Sequence, residues 1–243
     1  MRIAMWSGPR NLSTAMMYAF AARGDCAVID EPFYAAYLTM TGLEHPMRDE
    51  IIASQSCDPA DVVAGLMGPI PQGKQHFYHK HMAQHMIDGV PREWIRDVVN
   101  VFLIRHPARV VASFSAKYEK PTLDDIGFRQ QAELFDQVKA LGGDPVVIDS
   151  ADIRRDPEGH LRALCDRIGL EWTPDMLRWP KGGHADDGVW ASHWYGAVHG
   201  STGFASAEGE VPELTGWKAD LSAAAMPYYE ALRGEAVNAP YQG

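Results

Sequence analysis

Cysteine is scarce. Cys26, Cys57 and Cys165 are odd in number, far apart in sequence and form no C-x-x-C pair. That excludes a disulfide framework and a thiolate metal knuckle, and it leads us to expect reduced thiols in a cytoplasmic protein. No stretch approaches the roughly 18 apolar residues of a membrane span, and no basic segment followed by an apolar run opens the chain. Neither a membrane partner nor an export signal is therefore expected. Clusters of lysine and arginine are also lacking. A net charge of −10 argues against nucleic acid as a partner, because such proteins carry a basic footprint. It leaves room for a small anion, since a local pocket of arginine and backbone N–H groups can oppose the global charge. Internal repeats, low-complexity tracts and clear linkers are absent too. The 243 residues read as one domain, 1–243, with enough chain for a sizeable core.

What remains is an alternation of short apolar runs and amphipathic ones. Strands are expected at Arg2 to Trp6, Cys26 to Asp30, His76 to Lys80, Val98 to Ile104 and Pro145 to Ile148. The fourth is β-branched and apolar but for Asn100, as befits a strand covered on both faces. Helices are expected from Ser13 to Arg23, from about Ala108 to Tyr118, from Thr122 to Leu141 and from Asp156 to Ile168. Thr122 and Asp125 are spaced as a capping box for the third. Residues 182–210 are rich in Gly, His and Trp without periodicity and read as a long ordered loop or lid. This pattern predicts an α/β fold with a parallel central sheet flanked by helices in three layers. Ligands of such sheets bind at the carboxyl ends of the strands. That rule selects the segments beginning at Ser7, Glu31, Lys80, Arg105 and Ser150.

The first of these reads WSGPRNLST, from Trp6 to Thr14. A strand, a Gly-Pro turn and a helix start gather unsatisfied N–H groups and the positive end of a helix dipole at one point. Ser13 and Thr14 add hydroxyl donors. Arg10 adds a planar fork suited to oxyanions. The loop lacks the lysine that an ATP-type G-x-x-x-x-G-K-[ST] motif places on the terminal phosphates. A capped strand–turn–helix junction with no ligand would use similar residues. The second segment, FLIRHPARVVASF, puts Arg105 at the end of the fourth strand and Ser113 eight residues on, inside the next helix. Pro107 suits the first turn of that helix.

Together the two segments resemble the sulfotransferases that use 3′-phosphoadenosine 5′-phosphosulfate (PAPS), a family with a P-loop-like fold. PRNLST looks like an arginine form of the family's 5′-phosphosulfate loop, [KR]-S-G-[ST]-T. RHPARVVAS matches the spacing of its 3′-phosphate signature, R-[DN]-P-x-x-x-x-x-S. VVIDSADIRRDPEGHLRALCDRIGLEW is similar to its Y-E-D-L-x-x-D-P segment, and the three run in the family's order from Arg2 to Trp172. The resemblance implies that Arg10, Asn11, Leu12, Ser13 and Thr14 hold the 5′-phosphate and sulfuryl oxygens. It implies that Arg105 and Ser113 hold the 3′-phosphate. VIDEPFY resembles a Glu-Pro segment whose glutamate, here Glu31, is a general base. YHKHMAQH resembles a K-x-H segment that carries a catalytic histidine, which offers His81 as the rival base. Ser150 stands where many members have Tyr, and TGWKADL (Trp217, Lys218) echoes only part of the C-terminal nucleotide loop.

The expected activity is transfer of a sulfuryl group from PAPS to a hydroxyl or amine of a small acceptor, with PAP as product. Charge spread over three equatorial oxygens calls for N–H groups, Arg10 and Lys80 rather than covalent chemistry, by analogy with phosphoryl transfer. No metal is required in this reading; His184, His193 and His199 match no metal-ligand spacing. Two other readings stand beside it: a module that binds PAP without turning over, and a P-loop kinase-like user of ATP.

Overall fold

The computed structural model describes residues 1–237. Five strands form one parallel sheet: β1 (Arg2–Ser7), β2 (Cys26–Asp30), β3 (His76–Met82), β4 (Val99–Ile104) and β5 (Val146–Asp149). Their order is β2-β3-β1-β4-β5. The first strand therefore lies centrally, paired on one side with β3 and on the other with β4. The chain leaves β1 toward one half of the sheet and later returns to build the other half. The carboxyl ends of β1, β3 and β4 thus flank the switch point where such sheets form their crevice.

Helices α1 (Ser13–Ala22), α2 (Tyr34–Thr41), α3 (Arg48–Ser54) and α4 (Pro59–Met67) belong to the first half. The second half contributes α5 (Pro107–Phe114), α6 (Phe128–Ala140), α7 (Ser150–Arg155) and α8 (Pro157–Ile168). Two single-turn helices, α9 (Ala191–Trp194) and α10 (Gly196–His199), lie inside the stretch read as a loop, and α11 (Trp217–Arg233) follows. Alternate residues of each strand serve opposite faces. Ile3, Met5, Tyr78, Leu103 and Ile148 pack with α1 and α8. Ala4, Trp6, Phe77, Phe102 and Val147 pack with Val62 and Leu66 of α4 and with Leu134 and Phe135 of α6. The three layers follow directly from this double burial.

The helix expected from Thr122 begins only at Phe128. Thr122 and Asp125 do bond reciprocally: the Thr122 N–H and hydroxyl both donate to Asp125 Oδ2 at 2.7 Å. They close a separate turn, because Gly127 then takes φ +71 and breaks the helical path. A side chain at Gly127 would meet Gln84 Oε1 at 2.9 Å. Helix α5 likewise stops at Phe114, short of Tyr118. All three cysteines are free, and burial pushes the Cys165 thiol up to about 11 and that of Cys26 to about 12.

His79, His81 and His85 are buried at 0%, 1% and 3% exposure. Burial penalises their charged forms, driving His79 down to about 3 and the other two well below the ordinary histidine value. A group whose folded-state pKa is depressed contributes stability above the unfolded value, about 6.5, and loses it as pH falls. Each such histidine should cost about 1.4 kcal/mol per pH unit below that point. Urea midpoints should therefore fall between about pH 6.5 and 5. His79→Phe should fall less steeply than wild type. Parallel curves for the two would contradict this account.

Candidate active site

The loop after β1 is shaped by three backbone features. A side chain at Gly8 would meet the Ile126 carbonyl oxygen at 2.5 Å, so the loop can lie this close to the next layer only as glycine. Arg10 and Leu12 take φ +62 and +74, left-handed conformations that non-glycine residues adopt at a cost. Alternation of that kind turns successive N–H groups toward one concavity, an anion nest. Leu12 precedes α1 and gives it no side-chain cap, leaving the first-turn N–H groups directed at the same point. Residues 9–15 all line a cavity of about 330 Å³ at the carboxyl edge of the sheet, a volume at the lower end of ligand sites.

Each residue of the loop has a distinct place. Ser13 and Thr14 line the cavity at the head of α1. The Asn11 side chain turns inward and donates to the Leu103 carbonyl at 3.2 Å, tying the loop to β4. Arg10 Nε donates to Ser113 Oγ at 2.9 Å. Arg105 Nη1 donates to the Arg10 carbonyl at 2.6 Å. The two segments singled out in the sequence, 95 residues apart, therefore touch. They do so because β1 and β4 are neighbours. Burial and then the neighbouring Arg105 pull the Arg10 pKa below its ordinary value.

Across the cavity lies a buried polar knot. Lys80 Nζ sits 2.7 Å from Asp30 Oδ1, 2.7 Å from Glu31 Oε1 and 2.5 Å from the Tyr195 hydroxyl. Burial raises the Glu31 pKa; Lys80 opposes the rise and Asp30 adds to it. Burial alone would lower Lys80, but its two carboxylate neighbours outweigh that and hold it above the ordinary lysine value. Glu31 carries φ +39, and its N–H donates to the Lys80 carbonyl at 2.9 Å. An outlier at this position, costing about 1–3 kcal/mol, turns the carboxylate off the strand and into the cavity. Both side-chain hydrogen bonds of Glu31 fall on Oε1.

His81 does not share this site. Residues of β3 alternate, so Tyr78, Lys80 and Met82 face one way, and His79 and His81 the other. The His81 ring stacks on Trp6 at 4.4 Å and lies near Phe33 and Trp94, beneath the sheet and away from the cavity. The expectation that it faces the crevice is corrected. Ser150 is corrected as well: it is fully buried as the first residue of α7, outside the cavity lining. Trp217 and Lys218 begin α11; Trp217 is exposed, and neither reaches the cavity. Ser113 meets the site only through Arg10.

The remaining wall is aromatic; the sequence drew attention to its Trp190, Trp194 and Tyr195 in the stretch 182–210, but not to Tyr34, Tyr37, His85, Phe114 and Tyr118. His85 stacks between Tyr34 and Tyr37, with ring centroids 4.6 and 4.8 Å away, and its Nδ1 is buried without a partner. Phe114, Tyr118 and Trp194 complete this side. Residues 190–205 supply Trp190, Tyr195, Val198 and Gly203 as a cover. Asp30 stood inside the VIDEPFY segment, and a carboxylate closing an apolar strand was a usable signal. Tyr195 stood out only as an aromatic of the stretch 182–210; its bond to Lys80, 115 residues away, left no local mark.

The sequence pattern of the family described as "Sulfotransferase domain" matches residues 1–236. The chain belongs to that family. A solved relative, the sulfotransferase domain of the Synechococcus PCC 7002 olefin synthase, superposes with a TM-score of 0.53 at 17% identity, covering 92% of this chain and 94% of that one. That likeness establishes the shared fold. Two Arabidopsis thaliana proteins named branched-chain-amino-acid aminotransferase-like protein 2 and protein 1 are 35% and 36% identical over 231 residues. The match takes in 95% of this chain but only 41% of each relative, so this sulfotransferase domain spans about two fifths of their length. No helix among the described residues is long and apolar enough to cross a membrane.

Proposed function

We propose that this sulfotransferase domain takes PAPS as donor and a small hydroxyl- or amine-bearing molecule as acceptor. One observation carries the reading. The anion nest of α1 and the arginine at the end of β4 meet at adjacent strand ends, and Glu31 opens into the same cavity. A nucleotide with anions at both its 5′ and 3′ positions fits that pairing of cationic sites.

The residues then divide the work. N–H groups at the head of α1, the Ser13 and Thr14 hydroxyls and Arg10 hold the 5′ end, where negative charge collects as the S–O bond to PAP breaks. The aromatic wall of Tyr34, Tyr37, His85 and Trp194 receives an apolar acceptor body. Glu31 takes the acceptor's proton as the new bond to sulfur forms; burial has lifted it toward the basicity a general base needs. Its Oε2 is the oxygen free to do so, since Lys80 and Tyr195 hold Oε1. Lys80 fixes that carboxylate and lines the cavity beside it.

Ligands that bind only the folded state raise its melting temperature by mass action. PAP should raise it more than AMP or ATP with magnesium at equal concentration. An equal or larger shift with ATP and magnesium would instead favour a kinase-like nucleotide site.

A further inference from the structure

Three arginines from three elements converge on one carboxylate. Glu208 sits on the segment after α10, and its side chain is only 3% exposed. Arg154 Nη1 of α7 lies 2.7 Å from Glu208 Oε1, and Arg109 Nε of α5 lies 3.0 Å from Oε2. Arg105 Nη2 donates to Oε1 as well. One negative charge thus faces three positive ones, with Arg10 close behind Arg105. Two carboxylates of β5 and α7 are engaged elsewhere. Asp149 accepts from the Tyr229 hydroxyl at 2.8 Å, and Asp152 pairs with Arg233 and Arg155. The cluster therefore keeps an excess of cationic donors, arranged for a group with more charge and more oxygens than a carboxylate.

The segment carrying Glu208 is held in an uneven way. Residues 202–203 are anchored, the Thr202 carbonyl accepting from the Trp179 N–H and Gly203 bridging to Arg178. Beyond them, residues 205–215 form no helix or strand, and most are exposed. The tip touches the arginines through Glu208, the Ser206 carbonyl (2.9 Å from Arg154 Nε) and the Gly209 carbonyl. It is a flap fastened at its tip by a cluster that includes Arg105, the cation the two-anion reading assigns to the donor's 3′-phosphate.

We propose that Glu208 is a built-in competitor for the donor's 3′-phosphate. Its carboxylate occupies the Arg105–Arg109–Arg154 cluster, and the tip around it withdraws when a 3′-phosphorylated nucleotide binds. The inference rests on the PAPS reading. A tethered carboxylate acts at high effective concentration, and a site available for only part of the time binds its ligand more weakly in proportion. A phosphate dianion prevails because it offers three acceptor oxygens to the same three forks. The device couples release of the flap to the 3′-phosphate, since nucleotides that lack one leave it fastened.

Calorimetric titration of PAP and AMP against wild type and Glu208→Gln tests this, together with amide exchange over 204–211 in wild type. Glu208→Gln should bind PAP about tenfold or more tightly than wild type, from the loss of a charged competitor. AMP should be unchanged, and PAP but not AMP should speed exchange in 204–211. PAP binding wild type but unchanged or weakened by Glu208→Gln would overturn the proposal, making Glu208 a scaffold for the arginines, while the PAPS reading stood. PAP binding only the variant would support the proposal in its strongest form. PAP no better than AMP on both proteins would end the PAPS reading and the proposal together.

Discussion

Glu31→Gln should leave PAP affinity near that of wild type and lower turnover roughly 10²- to 10⁴-fold, the span typical of a lost general base. The side chain keeps its size, and the amide oxygen can still accept from Lys80, so the loop geometry has no reason to change. What disappears is the ability to take a proton. The structure makes this a sharper test than the sequence did, because His81 is walled off beneath the sheet. His81→Gln should affect stability rather than the chemical step. His85 remains as a neutral imidazole on the cavity wall. Full turnover in Glu31→Gln with collapse in His85→Gln would move the base to His85. Hydrolysis of PAPS can serve as the assay before an acceptor is found. Tight PAP binding with no turnover in wild type under any acceptor screen would favour a noncatalytic nucleotide module.

Arg105→Ala should weaken PAP about 10- to 150-fold. A charged hydrogen bond to phosphate contributes roughly 1.5–3 kcal/mol, and each 1.4 kcal/mol is tenfold. AMP should lose far less. It has no 3′-phosphate, and its only debt to Arg105 is indirect, through the bond that steadies the Arg10 carbonyl. Calorimetric titration of both nucleotides gives the comparison. Equal weakening would mean that Arg105 acts solely through the loop, and the 3′-phosphate assignment would fall. Ser113→Ala should have a smaller effect that reaches both nucleotides, because its oxygen accepts from Arg10 Nε and so steadies the arginine of the 5′ end.

Much of the fold was legible because each strand is buried on both faces. Val99–Ile104 and Cys26–Asp30 are short apolar runs closed by polar residues, and a parallel sheet leaves that mark. Helix α2 left none: Tyr34 to Leu38 are buried on every side, so no amphipathic period betrays them. Within β3 the segment YHKHMAQH held both the answer and its decoy. Lys80 and His81 are adjacent in a strand and must face opposite layers, so a site that takes one cannot take the other. A true K-x-H spacing from Lys80 falls on Met82, not on a histidine; the alternation of Tyr78, Lys80 and Met82 against Phe77, His79 and His81 was the better guide. The arginine cluster was half visible. Arg105 was read from its strand end, and Arg109 lies one helical turn beyond it in the same quoted segment. Arg154 and Glu208 join only through folding, and no local pattern announces a contact 54 residues apart.

A crystal structure of the protein with PAP would show whether one nucleotide bridges the head of α1 and the arginine at the end of β4. The 5′-phosphate should lie within hydrogen-bond reach of the Ser13 and Thr14 N–H groups and the 3′-phosphate on Arg105. A PAP molecule whose 3′-phosphate lies in solvent, or whose 5′-phosphate avoids the α1 loop, would contradict that bridge.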